Sequence, residues 1–312
     1  MKNLYNGVKT LTVRHLTEYL YNTPIQPGEH RLMLRPRDSH DLRILDTALS
    51  ITPAADTHYY HDPLNNSIAL ARFSNISTEK ISIHSAFRLE HYGTEPLRYD
   101  LAPYAQTYPF VYNSNEFPDL MRSIERRYPD PNGEIYQWAR QFIPTYGSTD
   151  TYQLLRDLNQ GVKDNFRYSE RHEEGTQAPL ETLQQGSGTC RDFALFLMEA
   201  ARSLGLAARF ATGYLYDPAL DGEDESTITG SGSTHAWAQI YLPGAGWVEC
   251  DPTNAIIGGD HLIRVAVVRD PSQAVPVTGS YEGPSEAFRD LHVEVQVTKN
   301  EPPETPLLPS VG

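Results

Sequence analysis

Short runs of alternating apolar and polar residues fill the first third of the chain, and runs with three-and-four spacing follow them. Residues 9–15, 41–45, 67–73 and 80–90 alternate with period two, which predicts half-buried β-strands. Clusters at Thr23-Pro24, Gln26-Pro27-Gly28 and Asp62-Pro63-Leu64-Asn65-Asn66 divide these runs. The expectation is an antiparallel, β-sandwich-like domain over residues 1–113. His58, Tyr59, Tyr60, His61 and Asp62 invite a metal reading, but neighbours on a strand point to opposite faces, so an edge strand or a loop is the better expectation.

After Asn113 the apolar period lengthens. Residues 117–128, 134–142 and 151–166 read as helices, the last through Leu154, Leu155, Leu158 and Val162. Phe193, Ala194, Leu197, Ala201 and Leu204 give the run after Cys190 an apolar face, ending near Gly205. The shorter helices are expected to pack around it. Residues 209–216, 234–242, 263–268 and 291–297 read as strands, and 217–233 as a long loop rich in Gly, Ser, Asp and Glu. A loop of that length is often functional, and Asp221, Glu223, Asp224 and Glu225 make an acidic flap over a cleft one expectation and plain disorder the other. An α+β core over residues 114–300, helices packed on an antiparallel sheet, then leads into a Pro-rich tail at 301–312, expected extended or disordered.

Chemistry concentrates at three points of that core. Thr189 fits an N-cap, and Asp192, three residues on, can reach back to its amide as a capping box. Cys190 then occupies the first helical turn, where free amides and the helix dipole favour a thiolate and can hold an oxyanion. His235 opens the strand at 234–242, the turn 243–246 follows, and 247–251 returns to Asp251 before Pro252 ends the pairing. If Leu242 pairs with Trp247, Asp251 falls opposite Ala238 and faces away from His235. A Cys190, His235, Asp251 triad therefore requires a slip of one residue, for which Gly244 and Gly246 are suitable hosts.

These residues resemble the transglutaminase-like superfamily of papain-fold cysteine enzymes, in its bacterial branch with a β-rich amino-terminal region. The resemblance rests on Gly188-Thr-Cys190-Arg-Asp-Phe-Ala194, residues 204–214, His235-Ala-Trp237, Gly246-Trp247, Asp251-Pro-Thr-Asn254 and residues 261–270, with 13–21 and 32–36 in the first part. It implies Cys190 as nucleophile, His235 as general base and acid, and Asp251 as the group that fixes the imidazole. Cys250 stands where the family pattern leads one to expect an apolar or aromatic residue, and is expected to be a small buried filler. A Cys190–Cys250 disulfide is the rival reading of the two cysteines. Tyr168 and Gln185 precede Cys190 with no feature that assigns the oxyanion to either.

Charge separates the two parts. Residues 1–113 hold eleven basic and eleven acidic residues, so the whole formal charge of -14 falls on the rest. Net acidity disfavours nucleic acid, which needs a basic surface. No apolar run is long enough for a membrane span and the start lacks a secretory core, so the expected location is cytoplasmic. No Cys-x-x-Cys spacing calls for a metal, and no cofactor is expected. The reading is a thiol enzyme transferring acyl groups from amide bonds of a peptide or protein, with hydrolysis favoured over amine transfer. The rival from another class is a non-catalytic peptide- or glycan-binding module, with Trp237, Trp247 and Tyr214 lining its groove.

Overall fold

In the computed structural model, which describes residues 5–94, 100–146, 148–171, 175–221, 229, 232–299, 307 and 308, alternation produces strands where expected, but with different breaks. The strands are β1 (Tyr5–Leu32), β2 (Leu42–Thr52), β3 (Asp56–His61), β4 (Ser67–Arg72) and β5 (Thr78–Thr94). Thr23-Pro24 and Gln26-Pro27-Gly28 do not divide strands: β1 runs through both. The ladder shifts register between Leu20 and Ile25 and again between Pro27 and His30, so the prolines lie where β1 changes partners. A missing N–H is tolerated at such breaks. Asp62–Asn66 is a turn as expected, closed by Asp62 Oδ1 accepting from the amides of Leu64 (2.9 Å) and Asn66 (2.8 Å). His58, Tyr59, Tyr60 and His61 lie on β3, the edge strand of the order β2-β5-β1-β4-β3.

The linking region carries β6 (Thr107–Tyr108), α1 (Phe117–Ile124), α2 (Glu134–Arg140), β7 (Thr149–Asp150), α3 (Thr151–Asn165), β8 (Arg167–Tyr168), α4 (Pro179–Gln185) and β9 (Ser187–Gly188). Helix α5 (Cys190–Ser203) follows, then the strands β10 (Ala208–Leu215), β11 (Thr234–Leu242), β12 (Gly246–Asp251), β13 (Ile256–Ile257) and β14 (Leu262–Val268). These five form an antiparallel sheet in the order β13-β12-β11-β10-β14. Two last strands, β15 (Val277–Glu282) and β16 (Phe288–Lys299), return to pair with β1. Sequence continuity groups residues 277–299 with the core, whereas strand pairing places them in the first sheet.

That first sheet curls into a sandwich-like shape because β1 belongs to both of its halves. Its first part pairs with β5 and β16, its second with β4 and β15. Ile25, Leu32, Ala69, Ile81, Ile83 and Val277 fill the space between the halves. Leu307 of the tail is buried, its carbonyl accepting from Arg14 Nε at 3.2 Å; apart from Leu307 and Leu308, residues 301–312 lie outside the described residues.

Helix α5 is buried on every side from Asp192 to Arg202, beyond the one apolar face expected. Trp138 and Phe166 meet Phe196 edge-on, with ring centroids 4.7 and 4.8 Å away. The polar positions are buried too because they pair: Arg202 donates to Glu199 (2.9 Å) and to the carbonyls of Ser123, Ala208 and Arg269. Buried charge is tolerated when so paired. Asn66 joins the two sheets by mimicking a strand, donating to Val267 O (2.7 Å) and accepting from Val267 N (2.9 Å). His15 Nδ1 meets the buried Tyr214 hydroxyl at 2.8 Å, and burial pushes this imidazole down to about 4.

Gly213 fixes the sheet beside the candidate site, level with His235 on one side and Arg264 on the other. A Cβ there would stand 2.0 Å from the Ile263 carbonyl oxygen, a backbone atom that cannot swing away. Gly213→Ala is therefore expected to cost about 3 kcal/mol, a fall in Tm of roughly 4 °C, which thermal denaturation would read.

Candidate active site

Thr189 caps α5 and Asp192 closes a capping box, as the sequence indicates. Asp192 Oδ2 accepts from the Thr189 amide (2.8 Å) and hydroxyl (2.9 Å). Its carboxylate also takes Arg171 Nε (3.0 Å) and the Gln177 amide (2.7 Å), so the loop before α4 is tied to the start of α5. Cys190 opens the helix, half-buried, with a free thiol. Cys250 is also a free thiol, fully buried in the core, so no disulfide caps Cys190. Burial raises Cys250 well above its ordinary range, keeping it an inert filler.

The hairpin makes the slip that a triad requires. Leu242 pairs with Gly246, not Trp247, leaving a turn of residues 243–245. Gly244 (φ +89°) and Gly246 (φ +76°) adopt the left-handed conformation that such a turn needs. The register Ala238 with Cys250 continues to set Asp251 level with Trp237, on the face shared with His235. Asp251 Oδ2 then lies 2.9 Å from His235 Nε2, both residues buried.

Nδ1 of His235, buried, has no geometrically ideal hydrogen bond among the described residues, and the Cys190 sulfur is the side chain that acts on the ring beside Asp251. Burial alone would lower this imidazole. The Asp251 carboxylate, its hydrogen bond and the nearby Cys190 sulfur outweigh burial and raise it to about 10. Asp251 is raised by burial but held below the usual carboxylate range by His235, by the Asn254 amide and by the Thr253 backbone. The structure thus brings the three sequence-predicted residues into one cluster. Two of them are joined by a hydrogen bond, and the third acts on the imidazole through its sulfur.

Asn254, which closes the Asp251-Pro-Thr-Asn254 motif, has a role that local sequence does not show. Its Nδ2 donates to Asp251 Oδ2 (2.8 Å), while Oδ1 accepts the Thr229 amide (2.8 Å) and Nδ2 also reaches Thr229 O (3.2 Å). One side chain therefore orients Asp251 and anchors the loop that leads to His235. The acidic residues Glu223, Asp224 and Glu225 of that loop lie outside the described residues. A polar residue three positions after a strand-terminal acid is the signal that was available. Supporting side chains of this kind typically contribute about 10- to 100-fold, so Asn254→Ala is expected to lower kcat some tenfold with KM little changed. Asn254→Asp should be worse, because it sets a second carboxylate against Asp251. Initial rates of amine release from a peptide substrate would check both.

Tyr168 and Gln185 separate cleanly. Gln185 is exposed and donates to Glu181 at 2.8 Å. Tyr168 is drawn beside Gly188 by the parallel pairing of β8 and β9. Burial, then the Cys190 sulfur and the carboxylates of Glu170 and Asp192, push its phenol up to about 12, so it stays a proton donor near Cys190. Trp237 and Tyr214, two of the three aromatics considered for a groove, are fully buried. Trp237 donates to Glu249 and Tyr214 meets His15, so neither offers a binding face.

Comparison with known proteins bears on the family and the fold. Residues 136–252 match the transglutaminase-like superfamily core, and residues 11–90 the bacterial transglutaminase-like N-terminal region. The chain is 26% identical over 306 residues to an uncharacterized protein of Mycobacterium tuberculosis, covering 93% of each. An uncharacterized protein of Mycobacterium leprae is 36% identical over 120 residues, 38% of this chain and 40% of that one. A crystal structure of a candidate cysteine protease from Cytophaga hutchinsonii superimposes with a TM-score of 0.69 at 15% identity, over 98% of this chain and 95% of that one, a likeness of fold. With a core and an N-terminal region that both match in order, the chain belongs to the transglutaminase-like superfamily, in its bacterial form.

Proposed function

We propose that the protein hydrolyses amide bonds of peptides or proteins through Cys190, His235 and Asp251. The observation that carries this reading is the division of work on one buried ring: Nε2 is held by Asp251 at 2.9 Å, and Nδ1 is not taken by any other group among the described residues while the Cys190 sulfur acts on the same imidazole. The proton of Cys190 passes to Nδ1 of the raised imidazole before attack, and Sγ then bonds to the carbonyl carbon. The carbonyl electron pair moves to oxygen, where the free amides of the first turn of α5 and the Tyr168 hydroxyl are the donors at hand. Collapse breaks the C–N bond, and Nδ1–H protonates the departing amine. The thioester is then attacked by water, which gives its proton to Nδ1, and the acid leaves as the thiol is restored.

Half-exposure of Cys190 favours water as the acceptor, because aminolysis needs a dry, shaped channel. A peptide mixture incubated in oxygen-18 water tests this directly. Hydrolysis predicts amine release with the heavy label in new carboxylates, unchanged by an added primary amine. Incorporation of that amine in place of the label would make the enzyme a transglutaminase. Absence of both products from a broad peptide mixture would count against an amide substrate.

A further inference from the structure

We propose that the groove between α1, the turn end of the β11–β12 hairpin and the end of β14 binds a carboxylate carried on an aromatic or apolar body. Arg209 takes the carboxylate and Trp247 the body. The groove has a volume of about 580 Å³, within the range that small ligands occupy (about 300–1,000 Å³). Leu120, Trp247 and Val268 line it together with Arg122, Arg209 and Arg269. In a chain of net charge -14 this gathering of cations is local and opposite in sign to the whole.

Arg209 is the residue that points to a ligand. Its guanidinium carbon lies over Trp247, 4.0 Å from the ring centroid, and its Nε donates to Gln239 Oε1 at 2.6 Å. Gln239 is itself fixed, its Nε2 donating to Glu249 at 2.6 Å. Glu249 is not free to neutralise Arg209, because it also pairs with Arg264 and accepts from Trp237. The two terminal nitrogens of Arg209 have no hydrogen-bond or ion-pair partner among the described residues. Burial depresses this guanidinium to about 9; Glu249 resists, and Arg264 and Arg37 add to the depression. A rigid, mostly buried fork of donors with both ends unused is the geometry that a carboxylate fills in bidentate fashion.

Among the described residues, no carboxylate forms a hydrogen bond or ion pair with Arg209. Glu116 and Asp119 border the groove, but Glu116 accepts from the hydroxyls of Tyr241 (2.7 Å) and Tyr104 (3.0 Å). The groove is also distinct from the reacting centre. Helix α5 has 14 residues, about 21 Å, and Arg202 at its far end donates to the carbonyls of Ala208 and Arg269, which back the groove. On β10, Arg209 lies four residues from Gly213, the partner of His235.

The test uses the full-length protein and two pairs of probes: N-acetylphenylalanine with its amide, and N-acetyl-Gly-Gly-Phe with its amide. Binding is followed by calorimetry and by tryptophan fluorescence. Saturable binding of an acid, about tenfold or more tighter than its amide, is expected, with a loss of similar size in Arg209→Gln. Tighter binding of the tripeptide assigns the site to peptide chain ends, and of the amino acid to free acids. Cys190→Ala should bind the acids as the parent does. The acid-to-amide ratio in the parent protein holds the test should Arg209→Gln fold poorly. Equal affinity for acid and amide, an unchanged constant in a folded Arg209→Gln, no saturation by any probe, or loss of binding in Cys190→Ala would each overturn the proposal.

Discussion

Cys190→Ala is expected to lower amide hydrolysis by at least about 1,000-fold, to a residue of activity supplied by binding and oxyanion donors alone. Stability should hardly move. The side chain is half-buried at the first position of α5, whose cap is built by Thr189 and Asp192, so removal of the sulfur leaves the helix start intact. An unchanged Tm beside lost amine release therefore separates a chemical role from a structural one. If Cys190→Ala kept activity, the assignment of the nucleophile would fall whatever the fold.

Asp251→Asn is expected to cost roughly 100- to 10,000-fold, since an amide keeps the shape but neither fixes the tautomer nor stabilises the imidazolium. It carries a second signature, in stability. His235 is raised to about 10, and its contribution is fully present below the unfolded value near 6.5 and lost as pH climbs to about 10. Asp251 is depressed, so its contribution is present above an unfolded value near 4 and lost as pH falls below it. The stability gap between the parent and Asp251→Asn should thus be widest between about pH 4 and 6.5 and narrow on either side. Denaturant unfolding across pH would read it; a gap independent of pH would show that the pair does not share charge as described.

Much of this was legible in the residues themselves. Spacing of Phe193, Ala194, Leu197 and Ala201, with Thr189 and Asp192 before them, places Cys190 at a helix start. Alternation placed His235 and Asp251 on adjacent strands, and counting exposed the slip that Gly244 and Gly246 supply. Less legible was anything set by long-range pairing. Pro24 and Pro27 read as breaks because local pattern cannot show that β1 changes partners there. Burial of Glu199 and Arg202 depends on their pairing inside the core, which a hydropathy pattern counts as exposure. Arg209 reads as an ordinary strand residue until Trp247, Gln239 and Glu249 are seen around it. Asn254 shows its double grip on Asp251 and Thr229 only in three dimensions.

In the proposed mechanism the imidazole of His235, held by Asp251, makes the sulfur of Cys190 reactive. The most direct measurement of this is the rate of iodoacetamide alkylation of Cys190 near neutral pH, read by mass of the labelled peptide in the parent and in His235→Ala. One label per chain is expected, at a rate about tenfold or more above an ordinary thiol of pKa about 8.5, falling by a similar factor in His235→Ala. Equal rates in the two proteins, no faster than a free thiol, would contradict that mechanism.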